Sequence, residues 1–495
     1  METFFNMIET VNSFLSKIVW GAPMLILMIG GGLFFCIKLR FFHITHLTHW
    51  LGVTFAGLFK TTQKGDKALS PFTAMSTALA ATIGTGNIAG VAAAISLGGA
   101  GAIFWMWVSA FFGMITSFCE KTLGIHYRKK DENGEWYGGA MYYIEAIDSK
   151  GFIGRNSKKL ASLFAVLCAA ASFGVGNLVQ SNTISATLDA TFSSFGVKGI
   201  SKLAIGIIIM LLTGIVIIGG IKRIGSVAER LVPFMALLYM AGTIYIIMAN
   251  VDMLPHAMGA IFKNAFGFDS IAGGISGHML SRALSEGFKK GVFSSEAGMG
   301  ASVTAHSASD VSEPCVQGMW GIFETFFDTI VVCSLTAFAV LCSGIYDFQN
   351  MRFFVPLEAN ELVISAFSKQ LGSMSSVFVS IATVLFAFAS ILGWSFYGVR
   401  AVGYLFGKRS EKIYKFLFCI FTAIGAVVNI DFAWEFSETL NALTAIPNMT
   451  ALIILMPVTK RLTDSYLKQI KENKKQKRKA KASSLIKALN TRSAR

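Results

Sequence analysis

Four consecutive residues in the middle of an uncharged apolar stretch have the chemistry to bind a polar solute. The stretch runs from about Pro71 to Leu97, and its centre reads Gly84-Thr85-Gly86-Asn87. Glycine adopts non-helical backbone conformations at little steric cost, so a helix over this stretch is expected to open here. An opening in lipid exposes peptide N–H and C=O groups that are costly unless a partner satisfies them. We therefore predict that the freed groups bind a polar solute and a cation at the middle of a membrane.

Close helix packing is the alternative explanation for these small residues. Gly86 and Gly90 have the spacing of a GxxxG packing seam. Packing alone does not require an amide at the middle of a membrane, so Asn87 favours the binding interpretation.

The composition excludes an ordinary soluble protein. Of 495 residues, 54% are hydrophobic and only 14% are charged. The net charge of +15 is concentrated in connections and tail, so it indicates orientation in a membrane and contact with membrane lipids, not nucleic acid. The N-terminus has no basic segment or cleavage site before its first apolar run, which argues against a cleaved signal peptide.

Apolar runs of spanning length predict an all-α polytopic membrane protein with about eleven transmembrane helices. They lie near 16–37, 71–97, 99–126, 160–190, 203–221, 227–250, 271–307, 315–343, 375–405, 412–430 and 434–458. The seventh run is abnormal because it carries four charged residues and is interrupted at 291–300 by glycines, serines and Glu296. It is therefore predicted to be a second broken helix.

Basic residues predict the orientation. The connections at about 38–70, 121–159, 222–230 and 400–415 and the tail from Lys460 are rich in Lys and Arg. The positive-inside rule places them in the cytoplasm of a cell-membrane protein, with the N-terminus outside and the C-terminus inside.

Three histidines spaced by three, His43, His46 and His49, lie in the first of these connections. They could suggest a metal site. An amphipathic helix with its aromatic residues in the headgroup layer is the favoured interpretation.

The two predicted breaks each open a block of five helices. An odd number of helices per block makes the second block run through the membrane in the opposite sense, as in transporters built from inverted repeats. The predicted organisation is an extra helix and amphipathic connection (1–70), a first repeat (71–250), a second repeat (251–460) and a basic tail (461–495).

A broken helix offers N–H groups at one half-helix end and carbonyls at the other. An anionic solute group is expected at the N–H groups of 84–87. A hard monovalent cation such as Na+ would take oxygen ligands from the carbonyls near Ala81, Thr82 and Asn87. The hydroxyl of Ser390, in the ninth helix, could complete its shell.

Several other polar and bulky residues are candidates for the pocket. The fourth helix carries Asn177, Gln180, Ser181 and Asn182, for which interhelical hydrogen bonding is the alternative; Gln180 is favoured as a solute contact. Bulky walls would leave room only for a small side chain, and the residues proposed for them are Phe173, Met299 and Trp394.

Glu296 is an intramembrane carboxylate and therefore a functional candidate. It either couples transport to an ion or hydrogen-bonds the N–H groups of its own broken helix as a gate or anchor. Glu324 and Asp328, one turn apart, are weaker candidates that are expected to face a water-filled cavity.

Four motifs resemble the alanine/glycine:cation symporter family. They are Ala80-Ala81-Thr82-Ile83-Gly84-Thr85-Gly86-Asn87-Ile88-Ala89-Gly90, the block Phe104-Trp105-Met106-Trp107, Gly138-Gly139-Ala140-Met141-Tyr142-Tyr143 and Gly291-Val292-Phe293-Ser294-Ser295-Glu296-Ala297-Gly298-Met299-Gly300. The resemblance covers about residues 15–460. It implies a leucine-transporter-like fold and sodium-coupled uptake of alanine or glycine, with D-alanine accepted by some members. Family binding residues then correspond to Thr85, Gly86, Asn87, Gln180 and Trp394, with sodium near Thr82 and Ser390.

Two positions depart from the family pattern. Ser295 stands where the family usually has Asn, and Ala389-Ser390 stands where it has a Ser-Thr pair. The missing hydroxyl at Ala389 removes one candidate ion ligand and puts the sodium stoichiometry or affinity in doubt.

The sequence thus predicts a sodium-driven symporter for small neutral amino acids. A proton-coupled symporter that uses Glu296 is the nearest alternative, and a channel is another. No nucleophile–base pair, HExxH motif or Walker loop is present, so an enzyme is not expected.

Overall fold

The computed structural model describes residues 11–17, 19–58, 68–132, 134–148, 151–197, 199–266, 276–350, 352–354, 359–428 and 430–493. Its helices, in chain order, are α1 (Val11–Lys17), α2 (Ala22–Lys38), α3 (Phe42–Thr45), α4 (Leu47–Leu58), α5 (Pro71–Thr82), α6 (Val91–Gly98), α7 (Ala102–Tyr127), α8 (Ala140–Glu145), α9 (Phe152–Arg155), α10 (Ser157–Phe173), α11 (Val179–Ser194), α12 (Lys202–Ile218), α13 (Gly220–Ala249), α14 (Leu254–Phe266), α15 (Ser276–Ser295), α16 (Val303–His306), α17 (Pro314–Thr325), α18 (Ser334–Cys342), α19 (Ala359–Leu371), α20 (Met374–Phe406), α21 (Ser410–Gly425), α22 (Ile430–Ile454) and α23 (Met456–Ser493). Two short antiparallel strand pairs, β1 (Lys129–Lys130) with β2 (Trp136–Tyr137) and β3 (Tyr346–Asp347) with β4 (Arg352–Phe353), lie in connections.

Helices are present in each of the eleven predicted stretches. Within the described residues, five are long and apolar enough to cross a membrane unaided: α7, α10–α11, α13, α17–α18 and α20. Counting each bent pair as one span raises the number to as many as eight. The chain is therefore mostly helical with several membrane-crossing segments, while the number eleven and the inverted repeat stay predictions.

The first broken helix consists of α5 and a second half over Gly86–Gly98, and the two halves meet at 59°. Pro71 lies at its first position, and Ser70 caps it by accepting the Thr73 N–H. The second half begins with a π segment over Gly86–Gly90. This break lies where the glycine-rich run predicts it.

The second broken helix consists of α15 and α16, separated by an irregular turn over residues 296–302. Positive φ angles at Gly298 (+90°) and Gly300 (+80°) end the regular backbone there, a conformation that glycine adopts readily. Residues 271–275 of the predicted seventh run lie outside the described residues.

Two further π segments, Gly174–Leu178 and Phe326–Cys333, join α10 to α11 and α17 to α18. The segment over 326–333 packs against the one in the first broken helix, and the segment over 174–178 packs against α20. Such segments often occur at functional sites because each changes the direction of the side chains beyond it. All three irregular helices thus converge on one region.

Some stretches between the predicted spans are helical. The predicted connection at 222–230 lies inside α13, and the stretches 251–265 and 344–374 contain α14 and α19. The prediction of a loop at 222–230 was wrong because its charged residues lie along the first turns of a long helix, where charges are compatible with helical backbone.

The first connection is helical, with α3 and α4 where one amphipathic helix was predicted, but two of its aromatic residues do not face a headgroup layer. Trp50 is 1% exposed, and its Nε1–H donates to the His43 carbonyl. The Phe42 ring packs 4.8 Å from the Phe118 ring. The predicted headgroup position is wrong for these two residues because this face packs on α7 and α17.

Two of the three histidines of this connection contact different residues, and the third is buried. His49 bonds Tyr466, His46 stacks on Phe42, and burial lowers the pKa of His43 to about 4. Within the described part of the chain, no group of three or more His, Cys, Asp and Glu residues is placed to hold a metal ion.

Candidate functional site

The backbone of the first break turns at Ile83, whose ψ of 89° takes the chain out of the helix. The N–H of Gly84 then donates to Oδ1 of Asn87 at 3.0 Å. The carbonyl end of α5 and the N–H end of the second half therefore both terminate inside the protein. These ends carry opposite partial charges, negative at the carbonyls and positive at the N–H groups.

Gly84 is required for the close approach of α20, and its φ angle is not in the left-handed region. A Cβ at this position would lie 2.5 Å from Oγ of Ser390. The Ser390 hydroxyl donates to the Ala81 carbonyl at 3.3 Å, whereas the Thr82 hydroxyl donates to Ala78 within its own helix at 3.4 Å. The structure therefore brings Ala81 and Ser390, two of the four predicted cation ligands, into direct contact.

Asn87 connects the first break to two other helices. Its Nδ2 donates to Oδ1 of Asp328 at 2.7 Å and to Oγ of Ser294 at 3.1 Å. Its carbonyl accepts from the Thr336 hydroxyl at 2.8 Å. In this conformation the Asn87 amide is fully engaged by the protein.

Asp328 lies at the centre of this group. Its second oxygen accepts from the hydroxyls of Ser294 (2.7 Å) and Thr329 (2.8 Å), and the side chain is completely buried. The expected water-filled cavity is not its environment. Sequence reasoning did not single out Ser294, although its place in the second interrupted run was a usable signal.

Two buried polar atoms near the first break have no hydrogen-bond partner among the described residues: Oγ1 of Thr85 and Oε1 of Gln180. The amide nitrogen of Gln180 donates to the Val175 carbonyl at 3.1 Å. That nitrogen is 3.8 Å from where a Cβ on Gly84 would lie, so Gln180 borders the break with its acceptor oxygen unpaired. A buried atom of this kind is costly unless a ligand pairs with it.

The other two amides of the fourth helix serve helix packing. Asn177 donates to the Phe418 carbonyl at 2.7 Å, and Asn182 donates to the Gly425 carbonyl at 3.1 Å and also to Val428. These acceptors lie in or just beyond α21, so the interhelical interpretation holds for both amides.

The predicted wall residues differ in position. Trp394 is buried at the π segment 174–178, where a Cβ on Gly176 would clash with it at 2.1 Å. The Phe173 ring packs on rings of α21, 4.8 Å from Tyr414, and Met299 is buried within the second break. The residue that faces Gly86 is Phe293, whose ring is 3.5 Å from where a Cβ on Gly86 would lie.

The second break is held by Glu120, a residue of α7. Its Oε1 accepts the N–H groups of Gly298 at 3.1 Å and Gly300 at 3.0 Å, and it also accepts Nδ2 of Asn448 at 2.6 Å. Asn448 in turn donates to the Gly298 carbonyl at 2.8 Å and accepts from the Tyr143 hydroxyl. The role of hydrogen-bonding the N–H groups of this break, considered for Glu296, therefore belongs to Glu120.

Glu120 also belongs to a buried ion network between α7 and α17. Lys121 Nζ lies 3.3 Å from both Glu120 and Glu324. His306 lies 3.1 Å from Glu324 and accepts a hydrogen bond from Gln317. Glu324 is thus paired inside the protein and not exposed to a water-filled cavity.

Glu296 itself is buried and strained. Its φ of +52° lies in the left-handed region, which costs a non-glycine residue about 1–2 kcal/mol. The Trp394 ring nitrogen interacts with its carboxylate, but Oε2 forms no well-aligned hydrogen bond with a described residue. Strain and an unsatisfied carboxylate oxygen at one buried residue are typical of functional positions.

The match to known proteins extends over almost the whole chain. The model of the sodium:alanine symporter family matches residues 5–480. The sodium/alanine symporter AgcS of Methanococcus maripaludis is 40% identical over 471 residues, which cover 95% of this chain and 98% of that protein. The putative sodium/proton-dependent alanine carrier protein YrbD of Bacillus subtilis is 35% identical over 469 residues, covering 92% of each chain.

The fold is also found among solved structures. The crystal structure of MhsT in complex with L-phenylalanine superposes with a TM-score of 0.51 at 16% identity, covering 80% of this chain and 89% of that one. At this identity the likeness supports the fold alone, which is leucine-transporter-like.

Proposed function

Since this chain belongs to the sodium:alanine symporter family and is therefore a multi-pass secondary amino-acid transporter and not an enzyme, we propose that it couples the uptake of a small neutral amino acid to Na+. The observation that carries the proposal is the first break, where two helix ends of opposite partial charge meet beside the unpartnered Gln180 Oε1 and Thr85 Oγ1. An amino acid carries both charges that such a site can bind.

The substrate carboxylate is proposed to bind the N–H groups at the start of the second half, around Thr85, Gly86 and Asn87. Its ammonium group would donate to Gln180 Oε1, which has no partner in the protein. Trp394, with Met299 and Phe173, is proposed to form the wall that limits the side chain to the size of alanine or glycine. This arrangement leaves D-alanine acceptable, because contacts to the carboxylate and the ammonium group alone do not distinguish the two enantiomers.

The sodium ion is proposed to bind at the carbonyl end of α5, with the Ala81 and Thr82 carbonyls and the Ser390 hydroxyl as ligands. Ser390 already touches Ala81 at 3.3 Å. Because sodium and carboxylate would then lie at the two ends of one break, each would lower the electrostatic cost of binding the other. This mutual stabilisation is the proposed basis of coupling.

Transport would follow by movement of the broken helices between states open to either side, with the N-terminus outside and the basic tail inside. The 71–250 and 251–460 segments would act as the two repeats. The Asn87–Asp328–Ser294 contacts join the two broken helices, so both are expected to respond to occupation of one site.

Uptake by proteoliposomes tests the proposal. The purified protein would be supplied with labelled alanine, D-alanine, glycine, serine or glutamine, with sodium, lithium or choline outside. We expect saturable accumulation of alanine and glycine that requires sodium. Uptake indifferent to sodium would refute sodium coupling, and flux that neither saturates nor accumulates would indicate a channel.

Proton coupling is the second candidate, favoured by the unpartnered Oε2 of Glu296 and by the name of the relative YrbD. Glu296→Gln removes the titratable proton and keeps the shape of the side chain. Sodium-coupled transport predicts that this variant keeps the sodium dependence of uptake. Proton coupling predicts that wild type accumulates substrate when driven by a pH gradient and that the variant does not.

A further inference from the structure

A cavity lies away from the first break, between the ends of three helices. Its volume is about 320 Å³. It is bounded by the start of α13, the end of α20 and the start of α21, and its lining includes Arg400, Lys412 and Lys415. The proposed amino-acid site shares none of these residues.

The lining is strongly positive. It contains five basic side chains (Lys222, Arg400, Lys408, Lys412, Lys415) and two acidic ones (Glu135, Glu411). Both carboxylates are engaged by Arg400, at 3.8 Å and 3.5 Å. Lys412 and Lys415 form no ion pair with a described residue, so the cavity keeps a net positive charge.

Two helix N-termini add to this charge. The first turn of α13 contains no acidic residue, and no side chain caps its N–H groups. The N-terminus of α21 also lacks a side-chain cap, and the one acidic residue of its first turn, Glu411, is paired with Arg400. Uncapped helix N-termini bind anions, above all phosphate groups.

Arg400 provides an independent indication of a ligand. It is 6% exposed and is held in place by stacking on Tyr137, with its guanidinium carbon 3.8 Å from the ring centroid. Its Nε, although buried, has no acceptor among the described residues. A fixed guanidinium with an unused donor, at the wall of a positive cavity, matches the oxygens of a phosphate.

The surface around the cavity is apolar and exposed. Ile218 at the end of α12 is 77% exposed, Phe406 at the end of α20 is 74% exposed, and Ile413 in α21 is 65% exposed. Further apolar side chains are exposed along α12 and α21, among them Leu211 and Phe416. A ligand with a phosphate head and acyl chains fits both the cavity and its rim.

We propose that this cavity binds the phosphate of an anionic phospholipid, whose acyl chains lie on the exposed faces of α12 and α21. The predicted cytoplasmic position of these helix ends agrees with the leaflet in which anionic lipids attract basic residues. The site is separate from the amino-acid site and does not depend on which ion drives transport.

Thermal unfolding of the full-length protein in a mild non-ionic detergent tests the proposal. Phosphatidylglycerol, phosphatidylcholine and potassium phosphate would be added in separate titrations. We expect phosphatidylglycerol to raise the melting temperature saturably and phosphatidylcholine not to do so. Equal effects of the two lipids would overturn the proposal, and an equal effect of potassium phosphate would replace the lipid by a soluble anion.

Variants locate the binding. In Lys412→Gln/Lys415→Gln we expect about a tenfold or greater loss of apparent affinity for phosphatidylglycerol, since each basic residue near an anionic lipid contributes about 1 kcal/mol. Lys412→Arg/Lys415→Arg should retain the affinity. Lys158→Gln/Lys159→Gln removes the same charge from an exposed helix start that does not line the cavity. If this control loses as much affinity, the effect is general surface charge and the proposal fails.

Should the double Gln variant unfold, Lys412→Gln alone is the substitute, because Lys412 is exposed. A melting temperature without lipid equal to that of wild type establishes that each variant is folded. Unchanged affinity in a folded variant would overturn the assignment.

Discussion

The two broken helices differ in what satisfies their irregular backbone. At the second break, Glu120 and Asn448, from two other helices, accept and donate the hydrogen bonds of Gly298 and Gly300. At the first break, the chain supplies its own cap, since Asn87 accepts from Gly84, and Thr85 and Gln180 keep buried polar atoms without partners.

The difference indicates two roles. At the second break the N–H groups of Gly298 and Gly300 are already satisfied by Glu120, which fixes the backbone and leaves it little to gain from a ligand. The unpaired atoms there, Glu296 Oε2 and Ser302 Oγ, belong to side chains. A break bordered by unpartnered polar atoms gains hydrogen bonds only when a ligand arrives. The first break is therefore the proposed binding element, and the second is the element that the ion network holds in position against it.

The largest expected effect of a substitution is the loss of stability in Glu120→Ala. The substitution leaves two buried N–H groups without an acceptor and Lys121 with one carboxylate fewer, which should lower the free energy of unfolding by about 3–5 kcal/mol. Thermal unfolding in detergent and the yield of monodisperse protein measure it.

Glu120→Gln is the matched control for this substitution. It keeps an acceptor oxygen for Gly298 and Gly300 and removes only the charge, so its loss of stability should be smaller. If Glu120→Ala melts like wild type, the second break is not held in the way described and the comparison fails.

An intermediate effect, confined to transport, is expected from Gln180→Ala. Loss of a hydrogen bond to a charged group costs about 1.5–3 kcal/mol, so uptake should fall about tenfold to a hundredfold. Stability should fall by less than in Glu120→Ala, because the variant loses only the hydrogen bond from Nε2 to the Val175 carbonyl, and Oε1 has no partner in the protein. Initial uptake rates and melting temperatures, measured together, separate the two quantities.

Thr183→Val is the control on the same helix. The Thr183 hydroxyl is buried but donates to Val179 within its own helix, so uptake should stay near the wild-type rate. Wild-type uptake in Gln180→Ala would show that the substrate does not contact this side chain.

The smallest effect is expected from Ser390→Ala. Removing one proposed ligand should raise the sodium concentration for half-maximal uptake by about tenfold, since a lost contact of about 1.4 kcal/mol corresponds to that factor. The maximal rate at saturating sodium should be retained. Ser395→Ala, in the same helix, removes a hydroxyl that donates to Leu392 and should leave the sodium dependence unchanged; equal shifts in both variants would contradict the assignment.

Local signals in the sequence were sufficient to locate both breaks. Glycines within an apolar run, and charges within another, are unusual enough to be recognised without knowledge of the packing. The chain position of most helices followed from apolar run length for the same reason. The prediction of a connection at 222–230 was wrong because charge alone does not end a helix.

The partners of the buried polar groups could not be predicted from the sequence. Glu120 lies 178 residues from Gly298, and nothing local distinguishes it from Glu296 as the acceptor at the second break. Likewise, Asn177, Gln180 and Asn182 are similar in type and closely spaced. Only their packing against α21 separates the two structural amides from the one that borders the first break.

The left-handed backbone at Glu296 has a consequence for any effort to improve this protein. Glycine adopts a φ of +52° at little cost, so replacing Glu296 by glycine would recover the strain energy and remove a buried carboxylate at once. A screen that rewards heat resistance alone would therefore tend to select against this side chain. Laboratory evolution of a variant with higher thermal stability should include a transport assay at every round.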